Sequence, residues 1–142
     1  MDLALQLLAA TFLIVLATLV HGTGVVITSK LFQYEDRALK GRKLAFREFH
    51  LMVPMALCLL GLHALEICVF AVFYIAVGEI ASFEEALYVS ASAYTTLGIS
   101  EGSLVNWKLV GVFEGLAGFL LIGWSAAVFV ADMERILRQR QG

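Results

Sequence analysis

An all-α membrane protein with three transmembrane helices is the fold class this sequence predicts. Three observations carry the prediction. Of 142 residues, 61% are hydrophobic and only 15% charged, a balance that a soluble domain of this size rarely has. The apolar residues gather into three runs, each long enough to cross a bilayer. Nine of the ten basic residues fall between Lys30 and Arg47 or between Arg135 and Arg140, where the positive-inside rule puts the cytoplasm. The N-terminus is then outside and the C-terminus inside.

The first run, Leu3 to Val20 extended by Val25, Val26 and Ile27, gives an N-terminal transmembrane helix over residues 1–29. No basic segment precedes it and it is too long for a signal-peptide core, so it is read as retained. His21-Gly22-Thr23-Gly24 interrupts it. The two glycines do not share a helix face, so either a loosened helix or close packing is expected, and no ligand role is expected for His21. Residues 30–48 carry both charges and read as a cytoplasmic loop containing short helical pieces, with Gly41 allowing a bend.

The second run defines a helix over residues 49–77. Pro54 lies near its start, where a missing backbone donor costs least. Cys58 and Cys68, about 15 Å apart on one rigid helix, cannot bridge and read as small buried hydrophobes. His63 and Glu66 are three apart and so share a face deep in the span. Ionisable groups at that depth face protein or water. They either serve a proton or ion site or form a hydrogen-bonded brace.

Ser82-Phe83-Glu84-Glu85 fits a capping box that starts a short helix over residues 83–95. Thr95-Thr96-Leu97-Gly98-Ile99-Ser100-Glu101 follows, between two spans and too polar to be one. A hydroxyl pair, a glycine and an acid in that place suggest a re-entrant loop, tolerated only where protein or a water-filled cavity surrounds it. The last helix covers residues 106–138 and carries Gly111, Gly115, Gly118 and Gly123. Gly111 and Gly115 permit close packing.

Thr-Thr-Leu-Gly-Ile-Ser-Glu resembles the signature Thr-Thr-Val-Gly-Tyr-Gly-Asp of potassium-channel pore domains. The order of elements over residues 46–138 is also similar to the prokaryotic two-transmembrane pore-loop type, with an extra N-terminal helix. The resemblance implies a homotetramer in a bilayer, in the bacterial inner (plasma) membrane. Residues 49–142 become the pore domain: outer helix 49–77, pore helix 83–95, filter 95–101 and inner helix 106–138. It implies that Thr96, Leu97 and Gly98 offer backbone carbonyls to a monovalent cation, K+ or Na+, in place of hydration water. Thr95, Ile99 and Ser100 complete the filter. Glu101, Glu84 and Glu85 become an outer-mouth acidic set. Glu66, His63, Glu114 and Tyr94 become filter support, and Gly115 or Gly118 either a gating hinge or a packing point.

Three filter positions depart from that pattern, and two of them bear on its geometry. Ile99 stands where the family has a tyrosine that hydrogen-bonds outward. Ser100 stands where it has a second glycine, and a serine at left-handed dihedrals costs about 1–2 kcal/mol. A different outer path and weak or altered K+ selectivity are therefore expected. The alternative function is a non-conducting membrane scaffold or accessory subunit. No cofactor, nucleic acid or small-molecule substrate is expected. No enzyme is expected either, since no Ser/His/Asp set, phosphate loop or zinc-ligand spacing is present.

Overall fold

A computed structural model describes residues 2–39 and 44–138, leaving aside the side chains of residues 44–48, 136 and 137. Among the described residues the protein is all-helical: α1 (Leu3–Ala38), α2 (Leu44–Ala76), α3 (Phe83–Tyr94) and α4 (Lys108–Arg138). α1, α2 and α4 are long and apolar enough to cross a membrane, and the protein is an integral membrane protein. No strand occurs among the described residues.

α1 is unbroken through His21-Gly22-Thr23-Gly24, the close-packing outcome of the two expected there, and departs from the sequence expectation in continuing to Ala38 where a connection was expected from residue 30. The reason is packing. A Cβ on Gly24 would meet the Leu62 side chain at 2.5 Å, so the glycine marks a close helix crossing and not a break. Beyond residue 29, Phe32 is buried in a cluster with Val25, Leu51, Met55 and Leu59. At that same end of the bundle the Ser29 hydroxyl donates to Asp132 Oδ2 at 3.1 Å, tying α1 to α4. At 36 residues α1 is about 54 Å long, well beyond the ~30 Å hydrocarbon core.

α2 begins at Leu44, five residues before the expected start of the outer helix. Pro54 therefore lies in the helix interior, and its missing amide removes an i→i−4 bond there instead of at a terminus. Cys58 is exposed and Cys68 half-buried, so the expectation of two buried thiols fails for Cys58. A lipid-facing position on a spanning helix is as apolar as a core one.

α3 starts at Ser82 with extended N-cap dihedrals, and the Ser82 carbonyl accepts from Ala86 N at 2.9 Å. The capping box does not form, because the Ser82 side chain makes no capping hydrogen bond. Glu84 and Glu85 in the first turn complement the helix N-terminus by charge instead. The helix ends at Tyr94, with Thr95 as its C-cap.

The main core lies where α1, α2, α3 and the N-terminal half of α4 meet, and contains Leu13, Phe70, Tyr74, Val89, Trp107 and Val110. α3 approaches α4 along a glycine face. Gly111, Gly115 and Gly118 follow i, i+4, i+7 spacing and share one side of α4. A Cβ on Gly115 would sit 3.0 Å from the Ala93 carbonyl oxygen, and one on Gly118 would fall on the Tyr94 carbonyl. Gly61, in contrast, has nothing within 4 Å.

Two alanine substitutions test this packing. Gly118→Ala should lower the melting temperature of the detergent-solubilised protein, because the obstacle is backbone. Gly61→Ala should raise stability by about 0.5–1 kcal/mol through helix propensity. Equal effects of the two would mean that α3 does not approach α4 at Gly118.

Candidate functional site: the end of α3 and the loop it launches

Two buried carboxyl groups hold α3. Glu66 of α2 has no exposed surface and meets three partners from three helices. His21 Nδ1 of α1 lies 2.8 Å from Oε1, and His63 Nδ1 of α2 lies 3.2 Å from Oε2. The Tyr94 hydroxyl of α3 donates to Oε2 and is itself 2.9 Å from His63 Nδ1. His21 is further held by α4. Its Nε2 lies 3.4 Å from Ser125 Oγ, and its ring centroid is 5.2 Å from that of Trp124.

Glu114 of α4 forms the second cluster and is likewise fully buried. Tyr74 of α2 donates to its Oε2 at 2.7 Å, and Ser90 of α3 donates to its Oε1 at 2.5 Å. The Ser90 hydroxyl is also 2.8 Å from the Ile67 carbonyl of α2. Ser90 and Tyr94 are four apart on one face of α3, so each carboxyl grips the helix one turn from the other. Every buried side-chain polar atom among the described residues has a partner, as burial in a low-dielectric interior demands.

Past Tyr94 the chain is irregular until Lys108. Thr95 Oγ1 donates back to the Ala91 carbonyl at 2.6 Å, and Gly98 N donates to the Ser92 carbonyl at 3.2 Å. Thr96 (φ 61°) and Gly98 (φ 98°) take left-handed backbone, and Thr96 is the one non-glycine residue to do so among those described. For a β-branched residue this costs about 1–2 kcal/mol. Ser100 avoids positive φ, so strain falls at Thr96 rather than at the serine. Thr95 to Gly98 and Ser100 are exposed on the single chain, Leu97 by 84%. Ile99 is half-buried, its side chain reaching Gly111. These residues border a hollow of about 1060 Å³ lined by Thr96, Gly98, Ile99, Gly111, Gly115 and Phe119.

A third carboxyl anchors the far end of the loop. Glu79, just after α2, accepts from Asn106 N at 2.8 Å, from Asn106 Nδ2 at 3.1 Å and from Val105 N. Partial burial works to raise its pKa. The hydrogen bonds from Asn106, Val105 and Trp107 outweigh that and hold the carboxyl below its usual 4.5.

Of the residues singled out by sequence, Glu66, His63 and Tyr94 come together, and Glu114 sits one turn of α3 away. Gly115 and Gly118 are the contact points for the Ala93 and Tyr94 carbonyls. Glu84, Glu85 and Glu101 are exposed and make no ion pair among the described residues. His21, for which no ligand role was expected, is a hydrogen-bond partner of Glu66, because α1 is straight and turns that face inward. Tyr74, Ser90, Ser125 and Glu79 were missed altogether. The signal for Tyr74 and Ser90 was their place opposite an intramembrane acid in need of donors.

The sequence profile of the family described as "Ion channel" matches residues 62–135, just over half of the chain. That interval begins just before His63 and takes in both buried carboxyls, α3, the loop and most of α4. Neither a curated protein nor a solved structure matches the chain.

Two substitutions probe this arrangement. Tyr74→Phe strips a donor from buried Glu114 and should cost about 1–3 kcal/mol, read as a lower unfolding midpoint in detergent. Stability carried by the Glu79 tether is present above the ordinary carboxyl pKa and is lost as pH falls through the depressed folded value. Thermal stability should therefore drop below about pH 4.5, and Glu79→Gln should flatten that acid slope. A slope indifferent to the substitution would remove Glu79 as its source.

Proposed function

This chain belongs to the ion-channel family, and on that premise we propose that four copies surround one axis as a potassium-channel-like cation pore. The protein is a membrane channel rather than an enzyme. In this reading residues 49–142 form the pore domain and residues 1–29 an added span. α3 is a re-entrant pore helix, and Thr96, Leu97 and Gly98 supply carbonyls to a permeant K+ or Na+ ion.

One observation carries the reading. The end of α3 rests against Gly118, ten residues along α4 from Lys108 and so about 15 Å in, roughly half the hydrocarbon thickness. Helix that stops there, followed by irregular backbone, must return to the side it came from. Its unpaired backbone groups need protein or water around them. A single chain leaves Leu97, Val112, Leu116 and Phe119 exposed beside Thr95 to Gly98. Three further copies would cover that apolar face and make of the Thr96–Gly98 segment a ring.

Alternating positive φ at Thr96 and Gly98 supports a carbonyl-lined inner filter. Beyond it, Ile99 is held by packing against Gly111 with no hydrogen bond from its side chain, which supports a loose outer filter and weak K+ selectivity. Glu84, Glu85 and Glu101, repeated fourfold, would concentrate cations at the outer mouth. The basic segments favour an N-terminus outside and a cytoplasmic C-terminus, in a bacterial inner membrane. A bend in α4 at Gly115 or Gly118 would gate by moving the residues that carry the filter.

Purified protein in liposomes tests this with K+, Na+ and a large impermeant cation. We expect K+ and Na+ flux with modest preference for K+. Thr96→Ala should cut that flux at least ~10-fold, equivalent to ~1.4 kcal/mol at the barrier. Cross-linking should stop at four copies. Absence of flux for every cation would favour a non-conducting scaffold, and strict K+ flux would overturn the weak-selectivity reading.

A further inference from the structure

We propose that His21, His63 and Glu66 form a binding site for one divalent transition-metal ion of the zinc class, with the Tyr94 hydroxyl beside it. The ligand atoms of the three residues all lie within 4.8 Å of one another. Two imidazole nitrogens and a carboxylate are a donor set that suits zinc and its neighbours, and hard oxygen-seeking cations poorly.

The hydrogen-bond pattern is compatible with a cation in its place. His63 Nδ1, Glu66 Oε2 and the Tyr94 hydroxyl are mutually in contact, with the two His63 edges at 3.2 and 2.9 Å. Three mutual edges exceed what one imidazole N–H and one phenol O–H can fill with linear bonds. His21 is satisfied by one tautomer, with Nδ1–H donating to Glu66 Oε1 at 2.8 Å and Nε2 accepting from Ser125 Oγ at 3.4 Å; moving the proton to Nε2 frees the Nδ1 lone pair for an ion.

Two ligands each 2.0–2.1 Å from a tetrahedral zinc stand about 3.3 Å apart. The His21 edge of 2.8 Å runs to Glu66 Oε1 and the His63 edge of 3.2 Å to Oε2, so an ion between them is held by both carboxylate oxygens, and the remaining His21–His63 edge, within 4.8 Å, would close toward that spacing. Ser125 on the outer nitrogen of His21 is the second partner that fixes a ligating imidazole. His21 and Glu66 are fully enclosed, and His63 keeps 13% of its side chain exposed as a way in. An ion here would staple α1 to α2 beside the residue that ends α3. The site stands whether or not the protein conducts.

The test uses the full chain in detergent, stripped of metal and titrated with Co2+ alone. One cobalt per chain should give the intense visible bands of a four-coordinate N/O site, and Zn2+ should abolish them. Zn2+ should also raise the unfolding temperature. His21→Gln and His63→Gln should each weaken cobalt binding at least ~10-fold, whereas His50→Gln should not. Ser125→Ala keeps every ligand and should weaken binding ~10–100-fold through the outer nitrogen. Wild-type protein without such bands overturns the proposal, even if the histidine variants fail to fold. So do bands that survive both histidine substitutions. Liposome flux is read separately, so failure of the metal site and failure of conduction are distinguishable.

Discussion

Glu66 is the constraint on which the rest depends. A carboxyl group with no exposed surface, inside helices that are otherwise apolar, must be fully hydrogen-bonded or it costs several kcal/mol. Its partners come from α1, α2 and α3, and no two neighbouring turns of one helix could supply them all. Satisfying one side chain therefore sets the relative heights of three helices. Tyr94 is the last residue of α3, so the same bond fixes where regular structure ends and the loop begins.

Glu114 repeats the device one turn earlier on α3, gripping Ser90 from α4 while Tyr74 closes the other oxygen. The glycine face of α4 makes that grip geometrically available. With any side chain at Gly118, the Tyr94 carbonyl would have to withdraw, and Ser90 would leave Glu114 with it. Polar satisfaction and steric fit are thus one condition: the glycines set the distance at which the carboxyls find their donors. Glu79 holds the return end of the loop to the end of α2. The thirteen residues between Tyr94 and Lys108 are anchored at both ends and left open in the middle. There Thr96 carries left-handed backbone that a free loop would relax.

The three spans, the short helix and the His63–Glu66 face were legible because each rests on local pattern: apolar run length, a polar interruption, a three-residue spacing. Glycine spacing on α4 also spoke plainly, since the side chains it excludes are the same wherever the partner comes from. His21 was not legible. Its neighbours Gly22 and Gly24 left a loosened helix and close packing equally open, and they are the places where Trp124 and Leu62 come close. That difference is tertiary and leaves no local trace. The extension of α1 to Ala38 was hidden for the same reason: its composition is that of a solvated loop, and burial of Phe32 against α2 keeps it helical. Ser82 failed in the other direction, having the right sequence for a cap bond that its side chain does not make.

These corrections change what α1 is for. As a span at the periphery it would add only area to the lipid-facing surface, and its inward positions would need nothing but small apolar residues. Ala10, Leu13 and Ala17 fit that description, but His21 does not. Without α1, Glu66 would lose its His21 partner and the cluster would face lipid on that side, a position in which a carboxyl survives only by finding other donors. The second and third spans with their short helix are therefore incomplete in this protein. The extra helix closes the polar cluster from behind, and through Tyr94 it bears on the irregular backbone from Thr95 to Trp107.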